Sequence, residues 1–146
     1  AAYAGLRASE IARAKREDIE GQRIRVLGKG GRYDVLPVHP RVHDLIADIP
    51  AGHLGLSKSG VPFTSSGISG AFGVYVRREL HLPRPLGLHM FRHRFATNLL
   101  RDKDRGGAGA NLRVTQELMR PASPATTAVY TQVTDAERWG AVDGLS

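Results

Sequence analysis

The sequence predicts an α+β fold that is mainly helical and carries one small antiparallel β-sheet. A length of 146 residues suits one domain with a substantial core. Residues 22–38, QRIRVLGKGGRYDVLPV, alternate apolar and polar side chains around a glycine-rich break, which is typical of a β-hairpin. Elsewhere, apolar residues recur at the spacings of three and four that indicate amphipathic helices.

The predicted elements follow one another with short polar connections. Residues 1–5 look like the end of a helix that stops at Gly5, and Ser9 is a plausible N-cap for the next helix. The hairpin follows, with Lys29 at or near its tip, and Pro40 then opens a helix with Val42, Leu45, Ile46 and Ile49 on its apolar face. The remaining segments are a loop at 52–67, helices at 66–80, 86–100, 112–119, 123–133 and 134–142, and a flexible glycine-rich loop at 101–111.

Charge and composition point to a polyanionic partner. Lys and Arg number 21 against 14 Asp and Glu, a net charge of +7, so nucleic acid is the first candidate. A GC-rich genome would also enrich arginine, alanine and glycine. The absence of cysteine excludes disulfides and thiolate metal sites, and no apolar run or signal peptide indicates a membrane or secreted protein. These features favour a cytoplasmic protein.

One helix begins with a concentration of cationic and imidazole groups. In LGLHMFRHRFATNLL, residues 86–100, His89 and Arg92 lie three apart and therefore share one face. They fall in the first turn, where unpaired backbone N–H groups and the helix dipole favour an anion such as phosphate. A solvated helix start fits the same residues equally well. His93 and Arg94 have no assigned role beyond the surface or contact with a DNA backbone.

Three further residues are candidates for chemistry. Arg7 follows a glycine turn in GLRASE, and Glu10 is placed to hold its guanidinium. Lys29, on a hairpin tip, is placed to move an ammonium group into a groove and donate a proton. Tyr130 carries a phenol with a pKa of about 10, which becomes a useful nucleophile only when cations hold its target phosphate. Taken singly, each residue also fits an ordinary surface or half-buried position.

Four motifs in order are far more specific than any one of them. They are GLRASEI at 5–11, GKGGRYDVLPV at 28–38, LHMFRHRFATNLL at 88–100, and TQELM with SPATTAVYT at 115–131. In this order the sequence resembles the catalytic domain of the tyrosine recombinases, the phage integrase family, over residues 3–132. The resemblance implies the tyrosine recombinase catalytic-domain fold for residues 1–146.

The resemblance also implies a reaction and a set of residues. The reaction is site-specific DNA recombination, in which a strand is cleaved and rejoined through a 3′-phosphotyrosyl intermediate. Arg7 and Arg92 match the two arginines that hold the scissile phosphate, and Tyr130 matches the nucleophile. Lys29 would protonate the departing 5′ oxygen, and His89 would assist proton transfer at the tyrosine. The family chemistry needs no metal, no ATP and no other cofactor.

The same resemblance implies a protein that acts on DNA in the cytoplasm of a bacterial host cell, and it implies the partners. They are double-stranded DNA attachment sites, other recombinase protomers forming a tetramer on DNA, and accessory DNA-bending proteins. The chain begins without methionine, so we expect a piece of a longer protein that lacks the family's N-terminal DNA-clamping domain. Without that domain, DNA binding should be weak and unspecific.

Two departures from the family pattern bear on activity. The family has leucine, glycine and histidine where this chain has Met119, Arg120 and Pro121, nine residues before the tyrosine at the histidine. Proline donates no hydrogen bond, so a catalytically impaired DNA-binding module is the alternative, unless the neighbouring Arg120 compensates. The loop at 101–111 looks like an insertion. A type IB topoisomerase would share related chemistry, but GLRASE and TTAVYT look more like integrases.

Overall fold

The computed structural model of the chain describes residues 1–28, 31–81, 86–120 and 135–145. Within these ranges the fold is mainly helical with one three-stranded antiparallel sheet, as predicted. Two short 3₁₀ turns, Arg16–Asp18 and Lys103–Arg105, connect longer elements. The strands are β1 (Ile19–Glu20), β2 (Arg23–Leu27) and β3 (Tyr33–Pro37), and the helices are α1 (Ala8–Arg13), α2 (Pro40–Ile46), α3 (Ser65–Arg78), α4 (Leu88–Leu100), α5 (Leu112–Met119) and α6 (Asp135–Asp143).

The predicted hairpin is confirmed, and a short strand extends it to a sheet of order β1-β2-β3. In β2, Ile24 and Val26 are buried while the alternating arginines face solvent, because successive side chains of a strand point to opposite faces. Ile24 lies opposite Leu36 of β3, which is also buried. One face of the sheet therefore covers a core. Lys29 and Gly30, at the hairpin tip, lie outside the described residues.

Two hydrophobic cores meet at the segment that precedes α1. The first packs beneath the sheet and includes Leu6, Ile24 and Leu36. The second lies among α4, α5 and α6 and includes Phe95 and Leu99. Both Phe95 and Leu99 belong to the stripe of apolar residues at steps of four, so the sequence periodicity predicted this helix face. The junction of the two cores positions the candidate site.

Two local predictions in the first half of the chain are wrong: the N-cap of α1 and the burial of Leu45. Helix α1 begins at Ala8 with Arg7 as N-cap, so Ser9 lies inside the helix and does not cap it. The reason is that the Glu10 carboxylate accepts the Arg7 backbone N–H at 2.7 Å and caps the helix from its third position. By contrast, residues 1–5 form one turn that is closed by the Gly5 N–H on the Ala1 carbonyl and stops at Gly5 with a φ of +58°, which agrees with the predicted helix end. In α2, Leu45 is 77% exposed although its spacing predicted a core position.

The segment at 101–111, expected to be a flexible loop, is a packed and hydrogen-bonded turn. The backbone N–H groups of Ala108 and Ala110 donate to the Asn98 and Leu99 carbonyls at 2.9 and 2.7 Å, which satisfies the open end of α4. Ala108 is buried in the second core. The predicted helix at 123–133, with Ser123 as its N-cap, and the Thr134 cap of α6 lie outside the described residues.

We predict that Gly5→Ala destabilises the fold by about 2 to 5 kcal/mol, measured by urea unfolding. Gly5 has a left-handed φ of +58°, and an added Cβ would lie 2.7 Å from Cε1 of Phe95. Gly21→Ala is the matched control, since its φ is +52° but nothing lies within 4 Å of the added Cβ. Equal losses for the two variants would show that contact with Phe95 is unimportant.

Candidate active site

Arg7 and Arg92, far apart in sequence, converge on the C-terminal end of α5. An Nη2 of Arg7 donates to the Arg120 carbonyl, and Nη2 of Arg92 donates to the Met119 carbonyl. Nη1 of Arg92 also donates to the Gly5 carbonyl. The last carbonyls of a helix have no partner within the helix and form the negative end of its dipole, which suits guanidinium donors. The end of α5 therefore brings the two predicted arginines together.

A buried carboxylate holds one member of this pair, Arg7, to the rest of the site. The Glu10 side chain is only 3% exposed and accepts from Nη1 of Arg7 at 2.9 Å and from Nη2 of Arg120 at 2.7 Å. The Arg7 backbone N–H is its third donor. The structure thus confirms the sequence-based expectation that Glu10 holds the Arg7 guanidinium, and it adds Arg120 as a second cation on the same carboxylate.

The cluster carries excess positive charge. Burial and, after it, the nearby charge of Arg7 lower the pKa of Arg92 to about 10, with Glu10 acting in the opposite direction and Arg120 lowering it by less. Arg92 remains a cation at neutral pH, although its charge is poorly solvated. Three guanidinium groups around one buried carboxylate form a site in which an added anion would be stabilised. That is the electrostatic requirement for holding a phosphate.

Arg120 occupies the position where the family motif has glycine. Its backbone conformation explains the preference for glycine there. It ends α5 in the left-handed conformation, with φ 46° and ψ 70°. A residue with a side chain adopts this conformation at a cost of about 1 to 2 kcal/mol, which glycine avoids. The side chain is 13% exposed, and its Nη1 lies 3.6 Å from Oδ2 of Asp34 on β3 in a second ion pair.

His89 lies one turn before Arg92 on α4, as the sequence predicted, but it faces solvent. It lines a shallow groove together with His93, Arg94 and Arg101. Within the described residues, no hydrogen bond joins His89 to the arginine cluster.

Three residues that the sequence singled out lie outside the described residues: Lys29, Pro121 and Tyr130. The flanking elements are described, and one of them reaches the cluster, since Asp34 of β3 pairs with Arg120. Sequence reasoning did not find Asp34, and no local signal marks it, because an acidic residue on an exposed strand face is ordinary. In the described ranges, no group of His, Cys, Asp and Glu side chains is arranged to hold a metal ion, and no helix is long and apolar enough to cross a membrane.

Comparison with known proteins shows which family this chain belongs to. Residues 1–137 match the family model of the phage integrase family. The chain belongs to the phage integrase family. This confirms the predicted resemblance and, with the structure, the predicted catalytic-domain fold.

Relatives within the phage integrase family include both bacterial and phage recombinases. The tyrosine recombinase XerC of Rhodospirillum centenum is 38% identical over 143 residues, which cover 91% of this chain and 40% of that protein. The integrase from mycobacterium phage Brujita superposes with a TM-score of 0.77 at 33% identity, over 99% of this chain and 48% of that one. A lambda integrase dimer bound to a core site shares the fold at a TM-score of 0.60 and 19% identity, over 91% and 50%. The chain thus spans about half the length of its relatives or less.

We predict that Glu10→Gln lowers the free energy of unfolding at pH 7 by about 3 to 5 kcal/mol, because it breaks a buried ion pair. Burial alone would raise the pKa of Glu10, but the Arg7 backbone N–H and the charges and hydrogen bonds of Arg120 and Arg7 together hold it below its usual range. A depressed carboxyl pKa stabilises the fold above the unfolded value of about 4.3, and this stabilisation is lost as the pH falls through the folded value.

The difference between the wild-type chain and Glu10→Gln should therefore shrink as the pH is lowered from 7 towards 3 in a series of urea titrations. Glu20→Gln, on the exposed strand β1, is the control and should leave stability nearly unchanged at pH 7. A difference between Glu10→Gln and the wild-type chain that stays constant across this pH range would contradict the ionised role of Glu10.

Proposed function

We propose that this chain catalyses site-specific cleavage and rejoining of DNA strands, as the catalytic domain of a phage or mobile-element integrase. The observation that carries the proposal is the convergence of Arg7 and Arg92 beside Glu10 at the end of α5. Membership of the phage integrase family supports the same reaction. The similarity to the Brujita integrase supports a phage-type recombinase, and the XerC relative supports the broader class of tyrosine recombinases.

The geometry of the arginines suits a phosphodiester. Phosphoryl transfer requires neutralisation of the charge on the non-bridging oxygens and alignment of the attacking and departing oxygens. A guanidinium carries five N–H donors, of which the contacts described above use two in Arg7 and two in Arg92. The remaining donors allow each arginine to bind a non-bridging oxygen while its other nitrogens stay fixed to the protein.

The proposed reaction uses the chain's own side chains. Tyr130 attacks the phosphorus through its phenol oxygen, and His89 accepts the phenol proton. The bond from phosphorus to the 5′ oxygen breaks, and Lys29 donates a proton to that oxygen. The product is a 3′-phosphotyrosyl link, which a 5′ hydroxyl of another strand attacks in the reverse sense to rejoin DNA. The family motif supports the roles of Tyr130 and Lys29.

The proposed partners are double-stranded DNA and further copies of the protein. The net charge of +7 supports binding to a phosphate backbone, and so do the exposed side chains in and just after α4, namely His89, His93, Arg94 and Arg101. The lambda integrase of the same fold forms a dimer on its core site, and we propose a comparable assembly here, a tetramer in the complete recombination complex with accessory DNA-bending proteins.

A second candidate function is DNA binding without catalysis. Pro121 favours it, because proline replaces the histidine that donates to the phosphate elsewhere in the family. The loss of one such donor is typically worth about 2.7 to 4 kcal/mol in the transition state, which slows a reaction without abolishing it. The retained Arg7, Arg92, Lys29, His89 and Tyr130 favour catalysis over binding alone.

We predict covalent capture of DNA through Tyr130. The chain is incubated with a pool of nicked duplexes of random sequence, adducts that survive SDS are isolated, and the attached strands are sequenced. The nick lets the short 5′ fragment diffuse away, so the phosphotyrosyl link accumulates. Tyr130→Phe should abolish the adduct while leaving DNA affinity unchanged. An adduct in the Phe variant would refute the nucleophile, and DNA binding with no adduct in the wild-type chain would favour the non-catalytic module.

We predict that the phosphate clamp and the general acid can be told apart with a captured substrate. Arg7→Ala and Arg92→Ala should each slow single-turnover cleavage by at least about a hundredfold, the scale for one preorganised donor. Lys29→Ala should also slow it, but a 5′-bridging phosphorothiolate should restore the rate, because a thiolate leaves without a proton. The same sulfur substitution should not rescue Arg7→Ala. Failure of sulfur to rescue Lys29→Ala would exclude Lys29 as the general acid.

A further inference from the structure

Arg120 joins two parts of the fold at the arginine cluster. Its Nη2 lies 2.7 Å from Oε2 of Glu10 on α1, and its Nη1 lies 3.6 Å from Oδ2 of Asp34 on β3. Its own carbonyl accepts a hydrogen bond from Arg7. Arg120 is therefore linked to Arg7 in two ways. Its carbonyl contacts the Arg7 side chain directly, and its guanidinium shares the Glu10 carboxylate with that side chain.

We propose that Arg120 is a positioning residue, whose guanidinium fixes the Glu10 carboxylate and thereby the orientation of Arg7 toward the scissile phosphate. The proposal rests on the proposed function for its catalytic consequence, but not for its structural one. A glycine, which the family has at this position, could make neither ion pair. The role is therefore a property of this chain.

The geometry favours positioning over direct binding of substrate by Arg120. The guanidinium is nearly enclosed, and both of its terminal nitrogens face carboxylates. On Glu10, Oε1 accepts from the Arg7 side chain, and Oε2 accepts from the Arg7 backbone and from Arg120, so both carboxylate oxygens are held. If the Arg120 guanidinium were absent, Glu10 would be held through Arg7 alone, and the two side chains would be free to turn together.

The backbone of Arg120 points the same way. A residue with a side chain is retained in the left-handed conformation only where surrounding contacts determine it. Here those contacts are the ion pairs to Glu10 and Asp34. The guanidinium also brings a third positive charge to the pair formed by Arg7 and Arg92, at the end of α5 where the neighbouring Pro121 offers no donor.

Arg120→Gly tests the proposal, because glycine suits the backbone conformation while removing the guanidinium. The first measurement is ¹⁵N NMR of the arginine side chains in free protein. Restricted rotation should give separate Nη signals for Arg7 in the wild-type chain, and these should average in Arg120→Gly. The second is single-turnover cleavage of a captured nicked duplex, which should slow by about ten- to a hundredfold with DNA affinity within about twofold.

Two further variants separate a positioning role from a general effect of charge or stability. Arg13→Gln removes an exposed positive charge near the end of α1 and should change neither the Arg7 signals nor the cleavage rate. Asp34→Asn should change the Arg7 signals and the cleavage rate in the same direction as Arg120→Gly, but by less. The double variant should be no slower than Arg120→Gly alone, because Asp34 acts through Arg120.

The outcomes distinguish this proposal from the proposed function. Unchanged Arg7 signals in Arg120→Gly would overturn it whether or not cleavage is observed. A fall in DNA affinity as large as the fall in rate would overturn it too, since Arg120 would then be a DNA contact. If the wild-type chain forms no adduct, the proposed function fails, and the Arg7 signals still decide whether Arg120 holds that side chain.

Discussion

The buried carboxylate of Glu10 is the contact on which the arrangement of the site depends. It caps the start of α1 through the Arg7 backbone, and it ion-pairs with the side chains of Arg7 and Arg120. One group thus sets both where the helix begins and where its N-cap side chain points. An ionised carboxylate in so enclosed a place is stable only because several charge-assisted donors replace its water, and those donors are the cations that the site needs.

The carbonyls at the end of α5 also have two functions in the site. As the unpaired end of a helix they need donors, and Arg7 and Arg92 supply them. In return, the helix end holds two like charges near each other, which repulsion alone would separate. The described cluster keeps an excess of positive charge, and the charge of Arg7 adds to the effect of burial in lowering the pKa of Arg92. A phosphate would supply the missing negative charge, so binding of the substrate would relieve an existing electrostatic imbalance.

The position of the site follows from the two cores. Leu6 packs into the core beneath the sheet, while the adjacent Gly5 lies against Phe95 of the helical core. The next residue, Arg7, therefore emerges where the cores meet, facing α4 and α5. Any side chain at Gly5 would push these cores apart. The close packing of Gly5 against Phe95 therefore also determines how Arg7 and Arg92 are aligned.

Local patterns in the sequence determined much of this protein. Alternation around the glycine-rich turn predicted the hairpin, steps of four predicted the buried face of α4, and the order of four motifs predicted the family. Arg7, Arg92 and the helper role of Glu10 were also readable, because they lie within those motifs. The catalytic roles of Arg7, Arg92, Lys29, His89 and Tyr130 stay predictions, although the structure does bring the two arginines together.

Tertiary structure decided what local spacing cannot encode. It turned the expected flexible loop at 101–111 into a packed turn, since backbone N–H groups there meet the open carbonyls of α4. It left Leu45 exposed, because Val42, Ile46 and Ile49 of the same predicted stripe pack against the core beneath the sheet while Leu45 lies outside that contact. Above all, it placed Arg120 between Glu10 and Asp34. Arg120 ends α5, Glu10 lies on α1 and Asp34 lies on β3. Such a contact depends on how distant elements pack, and periodicity within one element carries no information about it.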